Sequence, residues 1–357
     1  MLDDLDFIKK IDREGMLNIY ASYPEHFEKA EKLAKGALEK ASLPPSFLQN
    51  EIRNIVVAGM GGSAISGDIV REIYFNNGHI PIYVNRSYRL PAYVDERTLL
   101  FVMSYSGNTY ETLRCYRDGV KKGANVVGVS SGGKLEEMCK ENGHIHVKIP
   151  SGIPPRAALP YLLLPQIVFL NTLNVGDEIK LDFLWKLKEY LSSLLPSTKE
   201  KKNIAKQIAN EMKEKIIFLY GPSSFAPSLR RFSTQINENT ESHAFWNVFP
   251  ELCHNEIVAW SNTTLKNEKF ILLFREPERE EEMLTRQMEL SLALVLGKKA
   301  QVFEVIFKEK NHFFNLLYSI ILGDMVSIYL AILRKVDPTP VKIIENIKKK
   351  MKKDGVW

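Results

Sequence analysis

The chain has 357 residues, long enough for two domains that each bury their own core. With 45% hydrophobic and 25% charged residues it has the balance of a globular protein, which speaks against a fibrous or disordered chain. The net charge of +5 comes from Lys and Arg interleaved with Asp and Glu, and the one run of a single sign, Lys348-Lys349-Lys350 with Lys352 and Lys353, carries no aromatic residues, so no nucleic-acid partner is expected.

Cys115, Cys139 and Cys253 are far apart and lack CxxC spacing, which argues against a disulfide framework or a zinc site and for a reducing, cytoplasmic compartment. The N-terminus, Met-Leu-Asp-Asp-Leu-Asp, is acidic where a signal peptide is basic. The two most apolar stretches, residues 159–173 and 316–333, are interrupted by two prolines and by Asp324 respectively; both are expected to be buried core helices, and no membrane partner is expected.

Residues 1–50 read as a helical lead-in, with Phe7, Ile8, Ile11 and Leu17 on one apolar face and Phe27, Ala30, Leu33, Ala34, Ala37 and Leu38 on another. From 51 to 150 strands and helices alternate. Strands are expected at 54–59, 80–85, 98–103, 125–130 and 144–149, and helices at 64–74, 110–122 and 134–142. This alternation implies a parallel sheet covered by helices on both faces, with ligands at the carboxyl ends of the strands. Ser151-Gly-Ile-Pro-Pro155 reads as a linker. A second domain is expected over 151–310, with helices at 157–173, 181–195, 199–213 and 279–296, a helix from Pro227, and strands at 216–220, 256–260, 270–274 and 301–305. Helices at 313–333 and 341–353 occupy the C-terminal segment, 311–357. The fold class is therefore α/β, with two similar units in tandem and extra helices at both ends.

Two loops of the first unit have the chemistry of an anion site. Gly59-Met-Gly-Gly-Ser63, at a strand-to-helix turn, lets backbone N–H groups at Gly61, Gly62 and Ser63 face an anion at the positive end of a helix. It also fits the dinucleotide fingerprint loosely, but Asn85-Arg86 stands where that motif needs an acid, so no nicotinamide cofactor is expected. Ser104-Tyr-Ser-Gly-Asn-Thr109 places three hydroxyls, on Ser104, Ser106 and Thr109, just before a helix. One hydroxyl would serve as a helix cap; three on one turn favour a phosphoester. Gly132-Gly133-Lys134 lacks the spacing of a nucleotide loop.

Asn237-Glu238-Asn239 and, sixteen residues after Glu238, His254 in Glu251-Leu-Cys-His-Asn-Glu256 offer a base and an acid for proton transfer at carbon. Taken alone, they also read as a solvated carboxylate at a helix end and a surface imidazole.

Together with the two loops, these stretches, Pro155-Arg-Ala-Ala-Leu-Pro160, Ala244-Phe-Trp-Asn-Val-Phe-Pro-Glu251, and Gly323-Asp through Val336-Asp-Pro338 resemble the bifunctional phosphoglucose/phosphomannose isomerases, from about residue 50 to the end. The resemblance implies two tandem sugar isomerase (SIS) domains acting on a sugar phosphate, with no cofactor and no metal. It implies that Glu238 moves a proton between C1 and C2 through a cis-enediolate and that Arg156 stabilises that intermediate. Lys348 would assist ring opening, as would His254, reaching in from the partner subunit of a homodimer. It also associates residues 339–341 with tolerance of both C2 epimers. The competing readings are an isomerase of another sugar phosphate and a non-catalytic phosphosugar sensor.

Overall fold

The computed structural model describes residues 1–41, 52–182, 184–262 and 268–354; the expected boundary between residues 50 and 51 lies outside them. The chain divides into two compact units, one formed by Ser22–Leu184 and the other by Met1–Ala21 with Trp185–Val356. The short helices α1 (Leu5–Ile11) and α2 (Met16–Ala21) thus belong with the later half of the chain. Asp4 caps α1 by accepting from the amides of Asp6 and Phe7, and α2 buries Met16, Leu17 and Tyr20.

The unit formed by Ser22–Leu184 opens with α3 (Tyr23–Lys40) and continues through β1 (Asn54–Gly59), α4 (Gly61–Ile73), β2 (Ile82–Asn85), β3 (Thr98–Met103), α5 (Tyr110–Lys121), β4 (Asn125–Ser130), α6 (Gly133–Glu141) and β5 (Ile145–Lys148). A 3-10 turn, Pro155–Ala157, then leads into α7 (Leu159–Thr172). The sheet is wholly parallel, in the order β2-β1-β3-β4-β5. Asn-Ile-Val-Val-Ala-Gly and Thr-Leu-Leu-Phe-Val-Met form its central strands because an apolar run without alternation suits a strand covered on both faces. On one face Val56, Leu100 and Val102 pack with Leu113, Tyr116, Leu135 and Met138 of α5 and α6; on the other, Phe101 meets Phe169 of α7 edge to face.

All residues of α7 from Leu159 to Leu170 are buried, and the helix packs on α3 and α4. The sequence reading assigns this stretch to the second domain, starting at residue 151; the compact unit instead runs on to Leu184, because a helix that is apolar all round needs this sheet's helices to cover it.

The other unit contains α8 (Leu184–Leu194, whose first residue falls at the boundary), α9 (Ile204–Met212), β6 (Ile216–Pro222), α10 (Ala226–Thr240), β7 (Ala244–Phe249), a 3-10 turn Glu251–His254 and α11 (Glu256–Ser261). β8 (Lys269–Arg275), α12 (Glu282–Ser291) running into a π turn Leu292–Leu296, β9 (Gln301–Ile306), α13 (His312–Leu333) and α14 (Lys342–Lys353) complete it. Its sheet is also wholly parallel, in the order β7-β6-β8-β9, repeating the arrangement of the first four strands of the other sheet. The molecule is an α/β protein with parallel sheets flanked by helices.

Here one expectation is corrected. Residues 256–260 form a helix and not a strand: Glu-Ile-Val-Ala-Trp sets Ile257 and Trp260 three apart on one face, and Asn255 accepts from the Glu256 amide at its start. The edge strand is β7, whose Ala-Phe-Trp-Asn-Val-Phe pairs with β6 in register from Ile217 opposite Ala244.

The two faces of this sheet are covered by different helices. Tyr220, Ile271 and Leu273 pack with Trp260 of α11 and Met288 of α12, whereas Phe274 stacks on Phe232 of α10. α13 is 22 residues long and is buried almost throughout, as expected of a core helix. Asp324 at its centre is tolerated because it is paired: Arg231 of α10 donates to it in bidentate fashion at 2.9 and 2.8 Å, and Gln235 donates at 2.8 Å. Burial pushes this carboxyl up from its ordinary range, and the Arg231 guanidinium opposes the shift.

Candidate functional site

In the Ser22–Leu184 unit the chain reverses its direction of travel across the sheet between β1 and β3, where Gly59 pairs with Met103, so the loops that follow start side by side at the carboxyl edge. This is the switch point at which open parallel sheets bind ligands. Both loops lead directly into helices, α4 and α5, and neither helix has a side-chain cap. Gly61, at φ +50°, and Gly62 are themselves the first residues of α4, earlier than the expected start at residue 64. Ser63 is buried, and its amide donates to the Met60 carbonyl at 3.0 Å. Of the three residues, Gly61 and Gly62 leave their amides at the first turn of α4, where a helix N-terminus favours an anion.

Thr109 occupies the capping position of α5, yet its hydroxyl does not cap the helix; it accepts from the buried Ser104 hydroxyl at 3.0 Å. Ser106 is exposed and accepts from the Asn108 amide at 3.2 Å. The loop is held from below by the segment that lacked nucleotide-loop spacing. Lys134 donates its amide to Asn108 Oδ1 at 3.0 Å, and Leu135 donates to the Gly107 carbonyl at 2.9 Å. Gly107 has φ +69°, and a Cβ there would lie 1.8 Å from the Gly132 carbonyl oxygen, so both the backbone and the contact demand glycine.

Arg156, 5% exposed, joins this arrangement. A Cβ on Gly62 would come within 3.3 Å of the Arg156 Cα and 3.2 Å of the Pro155 carbonyl, so the glycine permits the close approach of loop and 3-10 turn. Four of the stretches singled out in sequence, around Gly61, Ser104, Gly132 and Arg156, are thus neighbours in one unit.

In the other unit, Asn237-Glu238-Asn239 forms the last turn of α10, which ends at Glu241 in the left-handed conformation. The flanking amides hold the turn in place. Asn239 is buried and donates to Ser327 Oγ of α13 at 2.8 Å, while Asn237 accepts from the Ala244 amide at the start of β7, at 3.2 Å. Glu238, half-buried between them, lines a cavity of about 670 Å³ together with Glu241, Ser242, His243 and the segment from Pro340 to Ile344. Glu241, Ser242 and His243 were missed in the sequence. Their signal was the polar Glu-Ser-His run directly after the helix, but the chain reversal that brings it back beside Glu238 depends on Glu241 at φ +53°. Lys348 is exposed, one turn along α14 from Ile344 on the same helical face.

His254 ends the 3-10 turn after β7, and its ring is exposed, with no side-chain hydrogen bond among the described residues. It does not lie beside Glu238 of its own chain. α10 runs back to the amino edge of the sheet and delivers Glu238 there, whereas β7 then crosses to the carboxyl edge before His254. The six residues of β7, at about 3.3 Å each, put roughly 20 Å between the two ends.

Residues 201–351 match the model of the bacterial phospho-glucose isomerase C-terminal SIS domain. The bifunctional phosphoglucose/phosphomannose isomerase of Caldicellulosiruptor bescii is 35% identical, over 92% of this chain and 96% of its own. The protein of the same name from Aquifex aeolicus is 34% identical, over 84% of this chain and 91% of its own. Among solved structures, a hypothetical protein from Thermus thermophilus superposes with a TM-score of 0.74 at 16% identity, covering 98% of this chain and 95% of that one.

Proposed function

The chain belongs to the bifunctional phosphoglucose/phosphomannose isomerase family, and from that premise we propose that it interconverts glucose 6-phosphate and mannose 6-phosphate with fructose 6-phosphate. Its two units are read as tandem SIS domains, a reading supported by the shared strand order of the two sheets and by the family match over residues 201–351. The observation that carries the assignment is the pair of helices without side-chain caps at one switch point, with hydroxyls at their entrance. A phosphate there satisfies orphan amides of both helices.

With the phosphate held by the amides of Gly61 and Gly62 and the hydroxyls of Ser104, Ser106 and Thr109, Glu238 takes the proton from C2 of the open-chain aldose and returns it to C1. A carboxylate is a weak base toward carbon, so the step depends on stabilising the oxyanion that develops, the role assigned to Arg156. Both aldoses give the same cis-enediolate and differ only at C2. Pro340 and Val341, in the segment associated with epimer tolerance, line the cavity that also holds Glu238. Lys348 and His254 serve ring opening.

His254 is assigned to the partner subunit of a homodimer. The reading is supported by the distance along β7 that separates it from Glu238 of its own chain. The reaction is assigned to proton transfer without a metal. The test is to incubate the purified protein with each aldose phosphate, in EDTA and without it, and follow fructose 6-phosphate. Conversion of each substrate is expected, at the same rate with EDTA as without it. Conversion of neither defeats the proposal, and a loss in EDTA that a divalent ion restores defeats the metal-free route.

A further inference from the structure

The ring of His254 is exposed and unsupported by side-chain hydrogen bonds among the described residues, so its place is set by the backbone that carries it. That backbone is short: a four-residue 3-10 turn followed by the six-residue α11, neither long enough to hold its shape alone. Leu252 of the turn and Trp260 of α11 are buried in the core on this face of the sheet, and a polar tie is added by Glu256, two residues beyond His254. One carboxylate oxygen accepts from the hydroxyl of Tyr220 on β6, and the other accepts from the Asn247 amide group on β7 at 2.7 Å. Tyr220 in turn accepts from the Trp260 indole N–H of α11 at 3.1 Å. Burial and the adjacent Glu256 carboxylate push the Tyr220 phenol far above its ordinary pKa, so it stays a donor at neutral pH.

A carboxylate whose only task was to favour the N-terminus of α11 could sit in solvent and do so. Glu256 instead reaches inward to side chains of two different strands, and both of its oxygens are occupied. Its backbone amide is held as well, donating to Asn255 Oδ1 at 2.6 Å, while the Asn255 amide group donates to Glu251 Oε1 at 2.5 Å at the other end of the turn. The turn bearing His254 is thereby tied at both ends.

We propose that Glu256, with Tyr220 and Asn247, is a positioning residue for His254, fixing the angle at which the imidazole leaves this sheet toward the sugar ring of the partner's substrate. The proposal rests on the reading of His254 as a ring-opening group. Glu256→Gln keeps the shape but replaces one acceptor oxygen by a donor, which cannot receive from both Tyr220 and Asn247. Tyr220→Phe keeps the ring packed while removing the hydroxyl, and it serves as the second route should the Gln variant fail to fold.

Two rates on the intact chain test this. One is turnover of cyclic fructose 6-phosphate. The other is exchange of the C2 proton with deuterated water in erythrose 4-phosphate, whose phosphorylated O4 cannot close a ring. Both variants are expected to lose roughly 10- to 100-fold in sugar turnover while exchange stays within about twofold, since a misplaced group costs only the step it serves. Adding Glu256→Gln to His254→Ala should bring no further loss. Equal losses in both rates, no loss in either, or a full additional loss in the double variant overturns the positioning role. If His254→Ala alone leaves sugar turnover intact, the assignment of His254 fails first and the positioning proposal falls with it.

Discussion

Glu238 is the residue proposed as the base, and its setting explains why a conservative change tests that role. Asn237 and Asn239 fasten the turn to β7 and α13, so Glu238→Gln leaves both anchors in place while removing the carboxylate. Isomerisation should fall by roughly 10²–10⁴-fold with the unfolding midpoint unchanged; a variant within about tenfold of the parent would remove Glu238 from the base role. The hydroxyls proposed to hold the phosphate call for a different measurement. Ser106→Ala or Thr109→Ala deletes a contact made equally in ground and transition states, so KM should rise more than kcat falls. An unchanged KM in both variants would leave the loop without a phosphate role. The acid and the hydroxyls stood out in sequence by residue type and spacing, and the structure puts the hydroxyls of Ser104 and Thr109 within 3.0 Å of each other. The amides beside Glu238 were read as part of the reacting patch, and only the packing of α10 against α13 and β7 reveals that they are fasteners.

At the scale of elements, the serine loop and the turn beneath it act as one piece. Gly107→Ala forces a methyl group against the Gly132 carbonyl in a backbone conformation that L residues seldom adopt, and the two segments must move apart. The expected outcome is a KM raised by about tenfold or more together with a lower urea midpoint; parental values of both would mean that the loop does not need this contact. The contact was invisible in sequence, where Gly132-Gly133-Lys134 is a motif without a function, because its partner lies 25 residues earlier, in the loop after another strand. Strands β1, β3 and β4 have the bounds read from sequence, since burial on both faces leaves an uninterrupted apolar run ended by loop residues. β7 escaped this test. As an edge strand it has only Ala244 and Phe249 buried, and the neighbouring run 256–260 is too short for periodicity to separate helix from strand.

At the scale of the whole molecule, the question is how many chains one site needs. Glu238 and His254 belong to one compact unit but to opposite edges of its sheet, with the length of β7 between them. If both act on one sugar, the second must come from another copy, and a closed two-fold dimer would complete two such sites. Subunit exchange makes this measurable. A Glu238→Gln protein and a His254→Ala protein are each impaired in every site they form alone. In a heterodimer, one site receives both defects and the other receives the intact residue from each chain. Equal amounts mixed to equilibrium hold about half their molecules as heterodimers, each with one of two sites working, so roughly a quarter of the parental activity should return. The recovery should appear at the rate of subunit exchange, followed independently by fluorescence transfer between labelled chains. Exchange without recovery would place both residues in the service of a single chain, and the separation along β7 would then require that one of them does not touch the sugar.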